Sequence, residues 1–294
     1  MIHQPAQPRD LHARPGASAL RVGAVQYLNT KPLVHGLAAA GVEVVYDLPS
    51  RLADRLADRR LDVALIPSVE VFRGGHRIVS DACIGCRGPV MSVKLFFRTA
   101  PSRVATLAVD EGSRTSAALA RILLAERHGV TPRIEPLPIG AGLSDTRADA
   151  VLLIGDRAIG DAGRDRMGGS FQVMWDLGDE WCRWTGLPFV FAVWAARDGI
   201  DAGSLSRHLS LARDAGRANL AAIAAAEAAA HGLTVPQCLS YLRDNLHYDL
   251  GPRERESLDL FRRYAARHGL APSDAVIERQ ARAGEAPLPG SAVR

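Results

Sequence analysis

Apolar residues cluster in short runs through the first two thirds of the chain, and polar or turn-forming residues follow each run. Four of these runs have the composition of buried strands: residues 22–28, 42–46, 62–66 and 93–97. Between them, residues 50–60 place Leu52 and Leu56 on one face and arginines on the other, which predicts an amphipathic helix. This alternation favours an α/β fold with largely parallel strands.

A second α/β unit begins at residue 104. Its predicted strands are residues 104–109, 133–136, 150–154, 171–175 and 188–194. Between the first two, residues 117–126 carry Leu119, Ile122 and Leu123 on one helical face. From Ser204 the pattern is helical, and the predicted helices span residues 211–231, 236–246 and 254–268. No internal repeat is visible.

The apolar runs at residues 95–97 and 189–193 look like matched crossings between two lobes. A single sheet could hold all the strands, but this pairing favours the two-lobed plan of type II periplasmic binding proteins, with a ligand cleft between lobes and the C-terminal helices on lobe 1. The predicted division is a disordered leader (1–19), lobe 1 (20–100 plus 196–283), lobe 2 (101–195) and a disordered tail (284–294).

Composition and charge narrow the class of protein. The chain has 294 residues, a net charge of only +4 and dispersed Lys and Arg residues, which argues against a nucleic-acid partner. No apolar run approaches the roughly 20 residues of a membrane span. The leader has no apolar core of the kind found in secretory signals, so a cytoplasmic location, away from the membrane, is expected.

Four cysteines leave little room for a metal site. Cys83 and Cys86 form a C-x-x-C pair, but no second pair or nearby histidine cluster completes a zinc site. Gly85 and the Gly88-Pro89 dipeptide surround the pair with turn residues, unlike a thioredoxin-type pair that opens a helix. We therefore expect reduced thiols and no metal.

Two strands each run directly into a polar helix start. The first strand ends at Asn29 and Thr30 and leads into a helix with Pro32 in its first turn, where a missing N–H costs nothing. The second leads into residues 113–116, with three hydroxyl side chains and Arg114. Free N–H groups at a helix start bind anions. Two such starts predict a dianionic small molecule held between two lobes.

Six motifs, in order, carry a resemblance to a known family. They are residues 22–33 (VGAVQYLNTKPL), 62–68 (DVALIPS), 87–93 (RGPVMSV), 113–116 (SRTS), 154–158 (IGDRA) and 184–191 (WTGLPFVF). Across roughly residues 20 to 275, the chain resembles the chorismate dehydratase family of the futalosine route to menaquinone. Gln26, where the family usually has Ser, and Phe97, where Ser is frequent, depart from the pattern.

The resemblance implies a carbon–oxygen lyase that removes water from chorismate, a dicarboxylate, to give 3-[(1-carboxyvinyl)oxy]benzoate. Forming a benzene ring makes the elimination favourable, so no nucleotide, metal or redox cofactor is implied. Asn29 and Asp156 are the expected catalytic residues. The expected substrate-binding residues are Thr30, Ser68, Arg87, Gly88, Ser92, Ser113, Arg114, Thr115 and Ser116.

Identifying the base that removes the ring proton is harder. Asp156 follows a buried strand, where α/β sites form. A structural salt bridge to Arg157 or Arg87 would explain this residue equally well. Many of the other candidates could be simple helix caps. No paired carboxylates and no Ser-His-Asp arrangement are evident. A second hypothesis is therefore that the substrate's own enolpyruvyl carboxylate takes the proton.

Three alternatives remain at this stage. A non-catalytic solute-binding protein would share the two-lobed plan. The sister enzyme that cyclises a dehypoxanthine futalosine would also share it, but typically opens with a Cys-Pro-Asn-Asp motif, which residues 26–30 do not match. The ligand-binding half of a regulator would need a DNA-binding helix, and none is evident. The sequence leaves monomer and homodimer equally open.

Overall fold

The structure is a computed structural model that describes residues 20–159 and 171–277. The predicted leader and tail, residues 1–19 and 284–294, lie outside the described residues. The strands are β1 (Val22–Val25), β2 (Val44–Asp47), β3 (Val63–Pro67), β4 (His76–Cys86), β5 (Val93–Phe97), β6 (Thr106–Asp110), β7 (Arg133–Leu137), β8 (Ala150–Ile154), β9 (Val173–Asp176), β10 (Phe189–Arg197) and β11 (His247–Asp249).

These strands form two separate sheets. The first sheet has the order β11-β4-β10-β3-β1-β2, and the second has the order β7-β6-β8-β5-β9. The two-lobed α/β prediction is therefore confirmed. We call each sheet with its helices a lobe, the first and the second in chain order.

The strands are less uniformly parallel than expected. β1 is parallel to β2 and β3, and β6 is parallel to β7 and β8, as the alternation predicts. β10, however, runs antiparallel to both β3 and β4, and β5 runs antiparallel to β8 and β9. These are the strands that follow the two passages between lobes, so the chain enters each sheet from the opposite end.

The helices cover the sheets. They are α1 (Pro49–Ala57), α2 (Ser68–Phe72), α3 (Thr115–His128), α4 (Leu177–Thr185), α5 (Gly203–Ala218), α6 (Leu220–Glu227), α7 (Val235–Ser240) and α8 (Pro252–Arg267). The predicted helix 211–231 is interrupted at Asn219. In the C-terminal region α5 packs on β4 and α8 packs on β10, so these helices cover the first lobe as expected. No helix in the described ranges combines the length and apolar character needed to cross a bilayer.

The strand β4 was not predicted, because its sequence is interrupted by polar residues and by Gly85. This glycine is no turn residue: a Cβ placed there would lie 2.8 Å from the carbonyl oxygen of Phe189 on the paired strand β10. Glycine within a strand marks such a close backbone approach. Cys83 and Cys86 consequently lie inside a strand, both buried with free thiols.

The helix after β1 also differs from the prediction. Leu28–Val34 forms a 3₁₀ helix, with Pro32 inside it rather than in the first turn of an α-helix. Proline lacks the N–H that an α-helical bond would need at this point, and its ring clashes with the preceding turn. The tighter i to i+3 bonding of a 3₁₀ helix accommodates it.

Sheet membership bears on the limits of the lobes. β5 lies in the second sheet although it precedes residue 100, and β10 lies in the first sheet although it precedes residue 196. We therefore propose that the chain passes between lobes at residues 87–92, which we call the crossing segment, and returns at residues 186–188. These limits replace 100/101 and 195/196.

Candidate functional site

A cavity that is open to solvent lies between the two lobes. It sits at the carboxyl ends of β1, β3, β6 and β8, where ligands bind in α/β proteins. Its apolar lining residues are Val25, Pro49, Pro67, Ile84, Val90, Val93, Ile154, Phe191 and Ala192. Its polar lining residues are Tyr27, Asn29, Ser92, Ser113, Arg114, Thr115 and Ser116. A mostly apolar lining with a few polar groups is typical of a small-molecule site.

The start of α3 lies at the wall of this cavity. Residues 112–116 line the cavity, and no side chain caps the helix at Arg114. The first N–H groups of an α-helix have no intrahelical partner and carry the positive end of the helix dipole. The expectation of an anion-ready helix start is met here, with the Ser113 and Ser116 hydroxyls beside it.

Arg114 lines the cavity but is already paired with carboxylates. Its guanidinium lies 2.6 Å from Asp54 Oδ1 on α1 and 3.2 Å from Glu70 Oε2 on α2. Beside it, the Val69 N–H donates to Thr115 Oγ1 at 3.2 Å. Both contacts join the second lobe to the first. Arg114 and Thr115 therefore tie the lobes together at the rim of the cavity.

Asn29 reaches the cavity from the 3₁₀ helix that follows β1. Its side chain is buried, and the hydroxyl of Thr30 lies 3.3 Å from its Oδ1 and donates to it. Thr30 itself is buried and does not line the cavity. The amide of Asn29 thus presents donor and acceptor capacity to a ligand.

The first helix start is occupied by the protein itself. The Leu28 N–H donates to Asp156 Oδ1 at 3.1 Å, and Asp156 Oδ2 lies 3.2 Å from His231 Nδ1. Burial raises the pKa of Asp156 above its ordinary value, although the hydrogen bond from Leu28 and the nearby charges of His231 and Lys31 lower it in part. Asp156 therefore bridges the lobes beside the cavity without lining it. Of the two helix starts predicted from the sequence, that of α3 is the one without a side-chain cap that also lines the cavity.

Three other predicted residues lie outside the cavity lining. The Ser68 hydroxyl is fully buried and donates to the carbonyl of Val190 at 2.8 Å. Arg87 points to α8, where its side chain pairs with the buried Glu254 at 3.0 Å. Gly88 lies in the crossing segment, with its carbonyl packed on α4. Pro67, next to Ser68, does line the site.

Ser92 does line the cavity, and an acidic residue that we did not single out from the sequence holds its loop. Asp176 caps α4 and also accepts from the N–H groups of Val90 and Met91, at 2.9 and 2.6 Å. Met91 adopts a φ of 67°, which is rare for a residue with a side chain. The carboxylate of Asp176 stabilises this strained turn and so positions Ser92.

Tyr27 lines the cavity and was also not singled out from the sequence, although it lies within the first motif. Burial, and then the nearby Asp110, raise the pKa of its phenol, so the group stays neutral. Its ring packs on Gly155, whose φ is +62° and where a Cβ would lie 2.7 Å from the ring. The glycine after β8 is thus required to admit this ring.

Within residues 20–159 and 171–277, no group of three or more His, Cys, Asp and Glu side chains could hold a metal ion. The titratable lining residues in these ranges are Tyr27 and Arg114 alone. The cavity can therefore bind and polarise an anionic ligand through an amide, hydroxyls and N–H groups.

Comparison with known proteins supplies independent evidence. A family model described as menaquinone biosynthesis matches residues 20–267. The curated chorismate dehydratase of Thermus thermophilus is 33% identical over 256 residues, which cover 82% of this chain and 93% of that protein.

Solved structures show the same fold at low sequence identity. Protein AF1704 from Archaeoglobus fulgidus superposes with a TM-score of 0.62 at 17% identity, covering 85% of this chain and 98% of that one. The periplasmic aliphatic sulphonate binding protein SsuA from Escherichia coli gives 0.57 at 14% identity, covering 88% and 96%. These two comparisons support the periplasmic-binding-protein-like fold and nothing finer.

Proposed function

Because this chain belongs to the chorismate dehydratase family of menaquinone biosynthesis, we propose that it eliminates water from chorismate to give 3-[(1-carboxyvinyl)oxy]benzoate. It would act as a hydro-lyase of the futalosine pathway. The observation that carries the proposal is the interlobe cavity, which combines a free α3 start with the Asn29 amide and an apolar wall. The cytoplasmic location and the monomer or homodimer state stay predictions.

The α3 start is the proposed site for one substrate carboxylate. The uncapped N–H groups of Thr115 and Ser116, with the hydroxyls of Ser113 and Ser116, offer several donors to an anion. Arg114 would contribute its field while remaining paired with Asp54 and Glu70. Binding at this end leaves the opposite face of the substrate ring against Asn29 and Ser92.

Asn29 is the proposed catalytic residue. In the elimination, the C–H bond at the ether-bearing ring carbon breaks, a ring double bond forms and the neighbouring C–O bond breaks. The departing hydroxide takes up the abstracted proton from its acceptor and leaves as water. The departing oxygen gains negative charge as it leaves. Amide N–H groups held at the cavity wall stabilise such charge, because they are oriented before the reaction begins.

The proton acceptor is proposed to be the enolpyruvyl carboxylate of chorismate. In the described residues, no carboxylate or imidazole lines the cavity, and the raised pKa of Tyr27 keeps its phenol from acting as a base. Asp156 is held by Leu28 and His231 outside the lining. An acceptor that belongs to the substrate lies close to the proton in every bound molecule, which favours this route.

The test is consumption of chorismate by the purified protein, with the product identified by mass. We expect the enolpyruvyl benzoate, and we expect Asn29→Ala to lower kcat by about 10²–10³-fold, the loss typical of removing one such donor. Asn219→Ala is the matched control, because Asn219 is exposed and its side chain donates to the carbonyl of Ala215 on α5, away from the cavity lining.

Other outcomes would point elsewhere. Saturable binding of chorismate without turnover would identify a solute-binding protein. Neither binding nor turnover would direct attention to the futalosine-derived substrate of the sister enzyme. Equal turnover by the Asn29→Ala and Asn219→Ala variants would contradict the role given to Asn29.

A further inference from the structure

Tyr241 is a buried polar residue that the proposed reaction does not yet use. It opens a π-helical turn, Tyr241–Asn245, between α7 and β11. Its side chain is 0% exposed. π-helical turns are rare and occur frequently at functional sites. The turn carries Tyr241 into the interior of the first lobe, while Arg243 and Asp244 on the same turn are exposed.

The phenol oxygen of Tyr241 has no hydrogen-bond partner among the described residues. Burial raises its pKa, while the side chains of Ser92 and Asn29 lie close enough to lower it in part. Both neighbours line the cavity. The hydroxyl therefore stays protonated and is a hydrogen-bond donor without an acceptor, and such a group is rare inside a protein because it costs free energy.

The Asn29 amide offers the missing acceptor. Its Oδ1 can accept two hydrogen bonds, and in this structure it receives one, from Thr30 Oγ1. An asparagine amide can point either its oxygen or its nitrogen at a ligand, and its hydrogen-bond network decides which. Two hydroxyls on Oδ1 would leave the two N–H groups facing the cavity.

We propose that Tyr241 is a positioning residue that donates its hydroxyl hydrogen to Asn29 Oδ1 in the substrate complex, and so directs the amide N–H groups at the departing hydroxyl. This inference rests on the proposed function. Tyr241 itself does not line the cavity, so it acts through Asn29. Without the Tyr241 hydroxyl, only Thr30 would hold the Asn29 amide. The amide oxygen, rather than the N–H groups, would then face the cavity for part of the time.

The experiment replaces each of two buried phenols. Tyr241→Phe removes the hydroxyl and keeps the ring. Tyr248→Phe is the matched control, because Tyr248 is also buried but its hydroxyl donates to the carbonyl of Leu242 at 3.2 Å, outside the cavity lining. We expect Tyr241→Phe to lower kcat about tenfold with little change in KM, since one hydrogen bond in the transition state is lost. Tyr248→Phe should keep the wild-type kcat.

A double-mutant cycle separates positioning from a general structural role. In the Asn29→Ala background, Tyr241→Phe should change kcat less than about twofold, because its partner is gone. Where that turnover is too slow to measure, calorimetric binding of the product, 3-[(1-carboxyvinyl)oxy]benzoate, closes the same cycle. Equal losses in both backgrounds, or an unchanged kcat for Tyr241→Phe, would overturn the inference alone. Absence of turnover in the wild-type protein would overturn the proposed function, and this inference with it.

Discussion

At the scale of single residues, the position of a side chain in the sequence did not decide where it points. Asp156 follows β8 as expected, yet its two oxygens contact the Leu28 N–H and His231 rather than the cavity. Gly155, one residue earlier, does line the cavity. The positive φ of Gly155 turns the chain at this point, so neighbouring residues face different surroundings.

Asp156→Asn tests whether this residue is the base. Asparagine can still accept from the Leu28 N–H, so we expect the fold to persist and kcat to fall less than about tenfold. Removal of a true general base would cost about 10²–10⁴-fold. Turnover and product binding are measured together, with the exposed Asp198→Asn as control. Near-complete loss of turnover with binding intact would reinstate Asp156 as the base.

At the scale of elements, tight backbone contacts explain where pattern-based prediction fell short. Gly85 lets β4 approach β10, and Pro32 shortens the helix after β1. A tight backbone contact also positions α5, which packs directly across this 3₁₀ helix. A Cβ placed at Gly216 on α5 would lie 2.0 Å from the carbonyl oxygen of Pro32. This contact fixes the C-terminal helices on the loop that carries Asn29.

Gly216→Ala tests that contact, and the sign of the effect is diagnostic. In a helix without the contact, alanine would raise the free energy of unfolding by about 0.5–1 kcal/mol. Here overpacking should lower it by about 1–3 kcal/mol. Urea unfolding measures the difference, and Arg217→Ala, at the exposed neighbouring position, should change it by less than about 1 kcal/mol. A stabilised Gly216→Ala variant would show that the helices are not packed this closely.

At the scale of the whole molecule, the lobes meet through apolar packing, such as that of Trp181 on Phe261, and through polar contacts at the cavity. Arg114 pairs with Asp54 and Glu70, and Thr115 accepts from Val69. Glu70 is buried, so its pair with Arg114 is less screened by water than an exposed one. These contacts favour the arrangement in which the lobes enclose the ligand.

Arg114→Gln should therefore weaken the closed arrangement. Losing about 1 kcal/mol of interlobe pairing would raise KM about fivefold and increase the radius of gyration in X-ray scattering. Arg103→Gln makes the same charge change at an exposed position of the second lobe. Asp54→Asn distinguishes two roles, because it weakens the pairing between the lobes but keeps the Arg114 guanidinium at the cavity, still beside Glu70. If Arg114→Gln raised KM without changing the radius, Arg114 would act on the substrate instead.

The sequence by itself determined the α/β class, most strands and the loops that carry Asn29 and residues 113–116. It could do so because parallel strands place their carboxyl ends at one edge, so polar residues after several strands converge. Tertiary structure alone decided that the side chains of Arg87 and Asp156 point away from the cavity. It also decided the burial of Ser68 and the position of Tyr241 relative to Asn29. Tyr241 and Asn29 lie far apart along the chain, and no local pattern encodes the contact that we propose between them. It arises only when the C-terminal helices pack on the first lobe.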